Sequence, residues 1–331
     1  MGVSVSTPIH RYAWLLAAAI SILAMLAVPA RSAKAATPRY VSIVISKTAG
    51  QEAGANCVAL PNTVPTLDTA AGLKARGIGV VTASLVVAQA DAADQGKCTR
   101  QLAYNGTPGG MTKSEGWAKA ATLRDQYGWK FVSHSRTYAD MTQLSDEQLN
   151  AESCATLDTF ASHGHTAAAG MFNYPNNRFD SESDAVVNKC FAFTRSYVRD
   201  AVNTQNSTTA SPYRANTRSV NGGRCNNSAL PCFNYKPVVG NTRYVLPSAA
   251  AQILHPLAGQ WGIAQWYRFV VGSRAAGNGP AWNCTSSNPK DHWTSDAELY
   301  CLNDLWTAID ARDKTAVITH PAAMAKLWGR A

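Results

Sequence analysis

The chain has no CxxC pair and none of the Cys and His spacings of a zinc module, which excludes a zinc finger or ribbon from its 331 residues. Beyond residue 35 no apolar run is long enough to cross a bilayer, so no membrane-spanning helix is expected there. No internal repeat is visible, which removes the repeat architectures. No linker divides the chain, which favours one large domain over two. Lys and Arg outnumber Asp and Glu by 30 to 21, yet the basic residues are scattered. A nucleic-acid ligand would gather them into a stripe, so none is expected. The excess instead suits an anionic cell wall, or simply solubility.

What is present starts with compartment. Arg11 is a positive n-region, Trp14 to Val28 is apolar, and Ala33-Lys34-Ala35 is a small-residue cleavage signature. Residues 1–35 are therefore expected to be a secretory signal peptide, leaving residues 36–331 exported and either secreted or associated with a cell wall. Arg11, Arg31 and Lys34 lie in that segment, so the remainder exceeds its 21 acidic residues by only six. Eight cysteines, Cys57, Cys98, Cys154, Cys190, Cys225, Cys232, Cys284 and Cys301, all fall after it. An even count in an exported chain predicts disulfides. Their connectivity is open on sequence grounds. The spacing favours neighbours: Cys57 with Cys98, Cys154 with Cys190, Cys225 with Cys232, and Cys284 with Cys301.

Strand and helix patterns alternate. Strands are expected at Tyr40 to Ser46, Gly79 to Val87, Trp129 to Val132, Thr166 to Phe172, Ala192 to Val198, Gly262 to Val271 and Ala316 to Thr319. Helices are expected at Thr66 to Arg76, Thr112 to Tyr127 with Ser114 a candidate cap, Asp180 to Asn188, Ala249 to Leu257, Asp296 to Arg312 and Ala322 to Trp328. Ser145 and Gln148 form a capping box that should open one long helix to about Ala161. This alternation implies parallel βαβ units in an α/β domain, whose ligands sit at the carboxyl ends of the strands. Residues 203–241, rich in Asn, Ser, Thr, Pro and Gly and holding Cys225 and Cys232, are expected as a polar, disulfide-containing insertion or flap.

The stretch from His134 to Tyr138, HSRTY, with Asp140-Met141-Thr142-Gln143-Leu144-Ser145 after it, resembles the H-S/T-x-x-H stretch of the polysaccharide deacetylase family and the pattern that follows it. Tyr40 to Thr48 sits where that family carries T-F-D-D-G, Phe172-Asn173-Tyr174-Pro175 where it carries R-x-P-Y, and Lys314 to Trp328 resembles its closing strand and helix. The resemblance implies a distorted (β/α) barrel. It also implies an Asp and two His holding a divalent metal such as zinc, with a second Asp as base and a late His as acid. Position by position, the base falls at Ser46, the metal Asp at Lys47, the second metal His at Tyr138 and the Arg that steadies the base at Asn173; His134 alone is kept. One imidazole beside an ammonium does not make a zinc site, so no metal or other cofactor is expected. His134 and Tyr138 are the expected remnant, with Lys47 in the metal's neighbourhood.

Other candidates are weaker. Ser46 and Lys47 are neighbours on a strand and point to opposite faces, which disfavours a Ser-Lys dyad. His163-Gly164-His165 suits a helix end better than a metal pair. His255, His292 and His320 suit surface or capping positions, and Glu147, Glu152 and Asp158 a solvated helix face. Aromatic rings that could stack on sugars are Tyr138, Tyr174, Trp261, Trp282 and Trp293, with core packing as the competing role for such rings. The expectation is an exported, catalytically degenerate deacetylase-like protein that binds cell-wall or extracellular glycan. The alternatives are an active carbohydrate deacetylase, or another hydrolase of carbon–nitrogen bonds with relocated residues, and a disulfide-stapled surface protein that binds other proteins.

Overall fold

The computed structural model describes residues 2, 36–46, 64–95, 99–102, 108–112, 116–197, 202–205, 214–219, 232–234, 245–247, 253–266, 268–274, 282–285 and 299–330. For residues 99–102, 108–112, 196–197, 214–219, 232–234, 245–247, 268, 274, 282 and 299 it describes the backbone alone. Contacts divide the chain into residues 1–37 and 38–331, and the elements below lie in the second unit.

Strand β1 (Tyr40–Ser46) is the β-branched run YVSIVIS, and six of its seven residues are buried. Such a run suits a parallel strand covered on both faces. The strands that join it are β2 (Val81–Leu85), β5 (Trp129–Ser133), β6 (Phe172–Asn173), β7 (Thr194–Tyr197), β8 (Arg214–Ser219) and β11 (Trp261–Trp266). The sheet order is β11-β8-β7-β6-β5-β2-β1, every pairing is parallel, and β1 pairs back to β11 from Tyr40↔Trp261 to Ile45↔Trp266, closing a barrel. An eighth strand, β14 (Val317–Ile318), pairs with Tyr40 and Val41, while β2 pairs only with Val44, Ile45 and Ser46. The two strands divide one edge of β1 and distort the barrel there.

The helices cover the outside. Chief among them are α1 (Thr66–Ala75), α2 (Val87–Asp94), α3 (Trp117–Tyr127), α4 (Asp146–Glu152), α5 (Thr156–Ser162), α6 (Ser181–Val187), α7 (Leu302–Ala311) and α8 (Pro321–Leu327). Val41, Ile43 and Ile45 of β1 pack outward with Leu73, Leu123 and Phe160. Val44 packs with Val132, Met171, Phe193 and Ile263 in a second cluster. That alternation separates an outer apolar shell from the barrel interior.

Several elements differ from expectation. The capping box at Ser145 and Gln148 is present, but the long helix breaks between α4 and α5. Ser153 at the break donates its hydroxyl back to Leu149 O at 2.6 Å, and Cys154 is disulfide-bonded to Cys190. Val87, expected as strand, opens α2, whose first amides donate to Ser135 O and Arg136 O. Helix α3 begins at Trp117, because Thr112 belongs to a hairpin of β3 (Thr99–Leu102) and β4 (Pro108–Thr112) and Asp94 caps Trp117 N at 3.1 Å. Ser114 lies outside the described residues. Thr166–Gly170 is 3-10 helix and leaves only a two-residue β6; a Cβ on Gly170 would meet the Ala322 backbone of α8, so the chain must pass close there.

The stretch expected as strand from Gly262 to Val271 is two strands. β11 ends at Trp266, and β12 (Arg268–Val270) leaves to pair with β13 (Leu299–Cys301); the helix expected to run from Asp296 has strand at Leu299–Cys301 and is helical from Leu302. The polar stretch 203–241 is not wholly a flap, since it contributes β8 to the barrel. It also contributes β9 (Cys232–Asn234), which pairs with β10 (Val245–Pro247). RANTRS has no apolar alternation, so nothing in its pattern marks a barrel strand.

Cys154–Cys190 and Cys284–Cys301 are disulfides, as the spacing favoured. Cys57, Cys98 and Cys225 lie outside the described residues, and Cys232 is described in backbone only. The first bridge spans 36 residues and ties the α4–α5 break to the end of α6. Its removal in a Cys154→Ser, Cys190→Ser double variant should cost about 2–4 kcal/mol in urea unfolding. Peptide mapping without reductant should recover both bridges.

Candidate functional site

The barrel interior changes character along its axis. At the floor, Trp261 Nε1 donates to Ser42 Oγ at 2.9 Å and Ser42 donates to Thr319 O at 2.8 Å, with Phe193 and Trp328 against the Trp261 ring. Val44, Val132, Met171, Phe193 and Ile263 fill the middle. Above them, at the carboxyl ends of the strands, the register brings Ser46, Ser84, His134, Asn173, Arg195 and Gln265 together, each at most 3% exposed.

Polar contacts connect this upper layer. Ser46 Oγ lies 2.6 Å from Ser84 Oγ, and Arg195 donates to Ser46 Oγ at 3.3 Å and to Gln265 Oε1. Asn173 is the register partner of Arg195. His134 Nδ1 lies 2.7 Å from Asn173 O; a carbonyl only accepts, so Nδ1 carries the proton. The Asn173 Oδ1 and Nδ2 and the Gln265 Nε2 are buried without a hydrogen-bond partner.

The loops after β5 and β6 are strained. Ser135 (φ 72°), Tyr138 (φ 69°), Asn176 (φ 50°) and Asn177 (φ 56°) occupy the left-handed region. Tyr138 N donates to Ser135 Oγ at 2.8 Å, and Glu152 accepts from Thr137 N at 2.8 Å and Thr137 Oγ1 at 2.6 Å. Glu152, expected on a solvated face, is thus a clamp on this loop. Tyr138 OH donates to Asn176 Oδ1 at 3.3 Å and accepts from Asn176 N at 3.4 Å, joining the two loops, and its ring stands edge-on to His134. Asp140 is held by Arg178 at 2.7 Å and by Thr142. Burial raises its pKa, but those hydrogen bonds outweigh it and the net is lowered.

Of the residues singled out in the sequence, the structure gathers Ser46, His134, Tyr138 and Asn173 at this end, and Lys47 lies outside the described residues. Tyr174 is core: it is 2% exposed, packs on Phe172 and Phe179, and donates to Asp184 at 2.9 Å. Trp261 is core as well, because it occupies an inward position at the start of its strand, far from the carboxyl end. Trp282 is described in backbone only, and Trp293 lies outside the described residues. Sequence reading missed Ser84, Arg195 and Gln265. Gln265 alone carries a signal, a polar residue at the last inward position of a largely apolar strand; the strands of Ser84 and Arg195, VTASL and TRSY, are themselves mixed or polar.

The metal that the family resemblance implies can be tested against these donors. The six side chains offer one imidazole and no carboxylate, and the Arg195 guanidinium sits among them. That set does not fit a divalent cation. Among the described residues no three His, Cys, Asp or Glu side chains are grouped to hold a metal. His163 is the C-cap of α5 and stacks on Trp117 at 4.2 Å, and Gly164 has φ 78°. His165 packs on Phe131, and burial, with Arg124 and His163 nearby, pushes its pKa down to about 4. His320 caps α8 through Nδ1, with its pKa lowered to about 3 by burial.

No protein-family model matches the chain, and no curated protein matches it in sequence. Among solved structures it is similar to a carbohydrate esterase domain of a xylanase from the hindgut metagenome of Trinervitermes trinervoides (9% identity, 88% of this chain and 92% of the other, TM-score 0.41). It is also similar to a family 4 carbohydrate esterase of Streptomyces lividans (16%, 52% and 71%, TM-score 0.31) and a deacetylase of Streptococcus pyogenes (11%, 55% and 91%, TM-score 0.32).

Two outcomes follow from this geometry. Trp261→Ala should cost about 3–5 kcal/mol, read as a lower melting temperature, where a ligand-facing ring would leave stability unchanged. The lowered pKa values of His165 and His320 mean that both imidazoles are favoured neutral in the fold. The stability this contributes is full above about pH 6.5, the unfolded value, and is lost progressively as pH falls from there through about 4 for His165 and about 3 for His320. A His165→Phe variant should flatten that acid limb in urea titrations.

Proposed function

We propose that the chain is an exported, catalytically degenerate relative of the polysaccharide deacetylases that binds cell-wall or extracellular glycan through the carboxyl end of its barrel. The observation that carries this reading is the composition of the upper layer. Ser46, Ser84, Asn173, Arg195 and Gln265 are hydrogen-bonding groups suited to sugar hydroxyls and acids, and where the resemblance asks for a base and for the Arg that steadies it, Ser46 and Asn173 stand. His134 is held by its Nδ1 proton, directed at Asn173 O. Export rests on the charge, apolar core and small-residue signature of residues 1–35. The motifs around His134 and the closed parallel barrel support the family assignment.

Protein purified without chelator should contain no stoichiometric zinc, cobalt or nickel. It should leave N-acetylglucosamine oligomers acetylated at background rate even with metal added, and should be retained on immobilised cell-wall polysaccharide. Bound metal, or activity abolished by a chelator, would promote a working hydrolase. Absence of glycan retention would favour a protein-binding role.

A further inference from the structure

Among its described side chains the upper layer holds a guanidinium and no carboxylate. Arg195 is 3% exposed and contributes a fixed guanidinium, with bonds to Ser46 and Gln265. On the neighbouring strand Asn173 is fully buried with both side-chain polar atoms unpartnered, and Gln265 keeps an unpartnered Nε2. A buried donor without a partner is destabilising, and the two unpartnered amide NH2 groups, of Asn173 and Gln265, near a guanidinium form a cost that an acceptor removes.

We propose that this layer binds a carboxylate group, which accepts hydrogen bonds from Arg195, Asn173 Nδ2 and Gln265 Nε2 together. A hydroxyl can also accept from the guanidinium, as Ser46 does, but it brings no charge of its own. Hydrogen bonds in which one partner is ionised are about twice as strong as neutral ones, so the charge selects the acid. Because the side chains are nearly fully buried, the acid reaches them as the terminal group of a ligand, two oxygens wide. The carboxylate belongs either to a small free acid or to a uronic acid unit of a polysaccharide. The second form rests on the glycan-binding reading above.

Calorimetric titration of the full chain with oligogalacturonate, galacturonic acid, sodium acetate and neutral xylo-oligomers tests this. The acids should bind, with the neutral oligomers at least about tenfold weaker. Arg195→Gln should lose acid binding, but it removes a buried charge and risks unfolding. Asn173→Asp keeps the test decisive: it places a carboxylate beside Arg195, so it should raise the melting temperature and abolish acid binding. Binding of the free acids without the oligomer would support the layer and overturn the glycan reading. Equal affinity for acidic and neutral oligomers would overturn the carboxylate and keep the glycan reading. No acid binding by folded protein, or undiminished acid binding by folded Asn173→Asp, overturns the proposal.

Discussion

The pairing of β1 with β11 governs the rest of the structure, because closing the sheet decides which side chains of every strand face inward. The six-residue register sends Ser42, Val44 and Ser46 inward and Val41, Ile43 and Ile45 outward under the helices. A slip of one residue would exchange those two sets, placing serines under apolar helices and isoleucines against Arg195. Gly262 shows how tight the closure is. A Cβ there would collide with the carbonyl of Ile253, so β11 meets the turn before it backbone to backbone. The parallel sheet is covered on both faces, and its stability resides in that double burial.

Much of this was legible in the sequence. The β-branched run at β1, the glycine-terminated α1, the capping box at Ser145 and the alternation of strand and helix carry local signals strong enough to survive tertiary context. What was illegible has a common physical cause, namely contacts made by residues distant in sequence. The Asp94 carboxylate that starts α3, the close passage of α8 over Gly170 that shortens β6, and the disulfide at Cys154 that accompanies the break between α4 and α5 act across 23 or more residues. Strand β8 shows a different limit. Its six polar and small residues are placed by neighbours on both sides, not by its own pattern.

The site divides along the same line. Ser46, His134, Tyr138 and Asn173 could be found because a motif marks their positions. Ser84, Arg195 and Gln265 could not, because a serine, an arginine and a glutamine in strands are unremarked until closure sets them in one layer. Tyr174 and Trp261 show the converse. Aromatics near a motif invite a binding role, but inward phase and the position along the strand decide between floor, core and mouth.

Backbone strain is concentrated in the loops at the barrel mouth. Four non-glycine residues in the left-handed region, at a cost of roughly 1–3 kcal/mol each, are tolerated only where the surroundings over-determine them. Here the surroundings are the Glu152 clamp on Thr137 and the contact between Tyr138 and Asn176, which lock the loop after β5 to the loop after β6. Those loops continue directly from His134 and Asn173, whose own bond spans the two strands. Those contacts, which sustain the strain, hold these residues in a fixed relation: the Asn173 carbonyl takes the imidazole proton, and Asn173 stays the register partner of Arg195. A freely rotating loop would let the Asn173 carboxamide find solvent, and its unpartnered state would not persist.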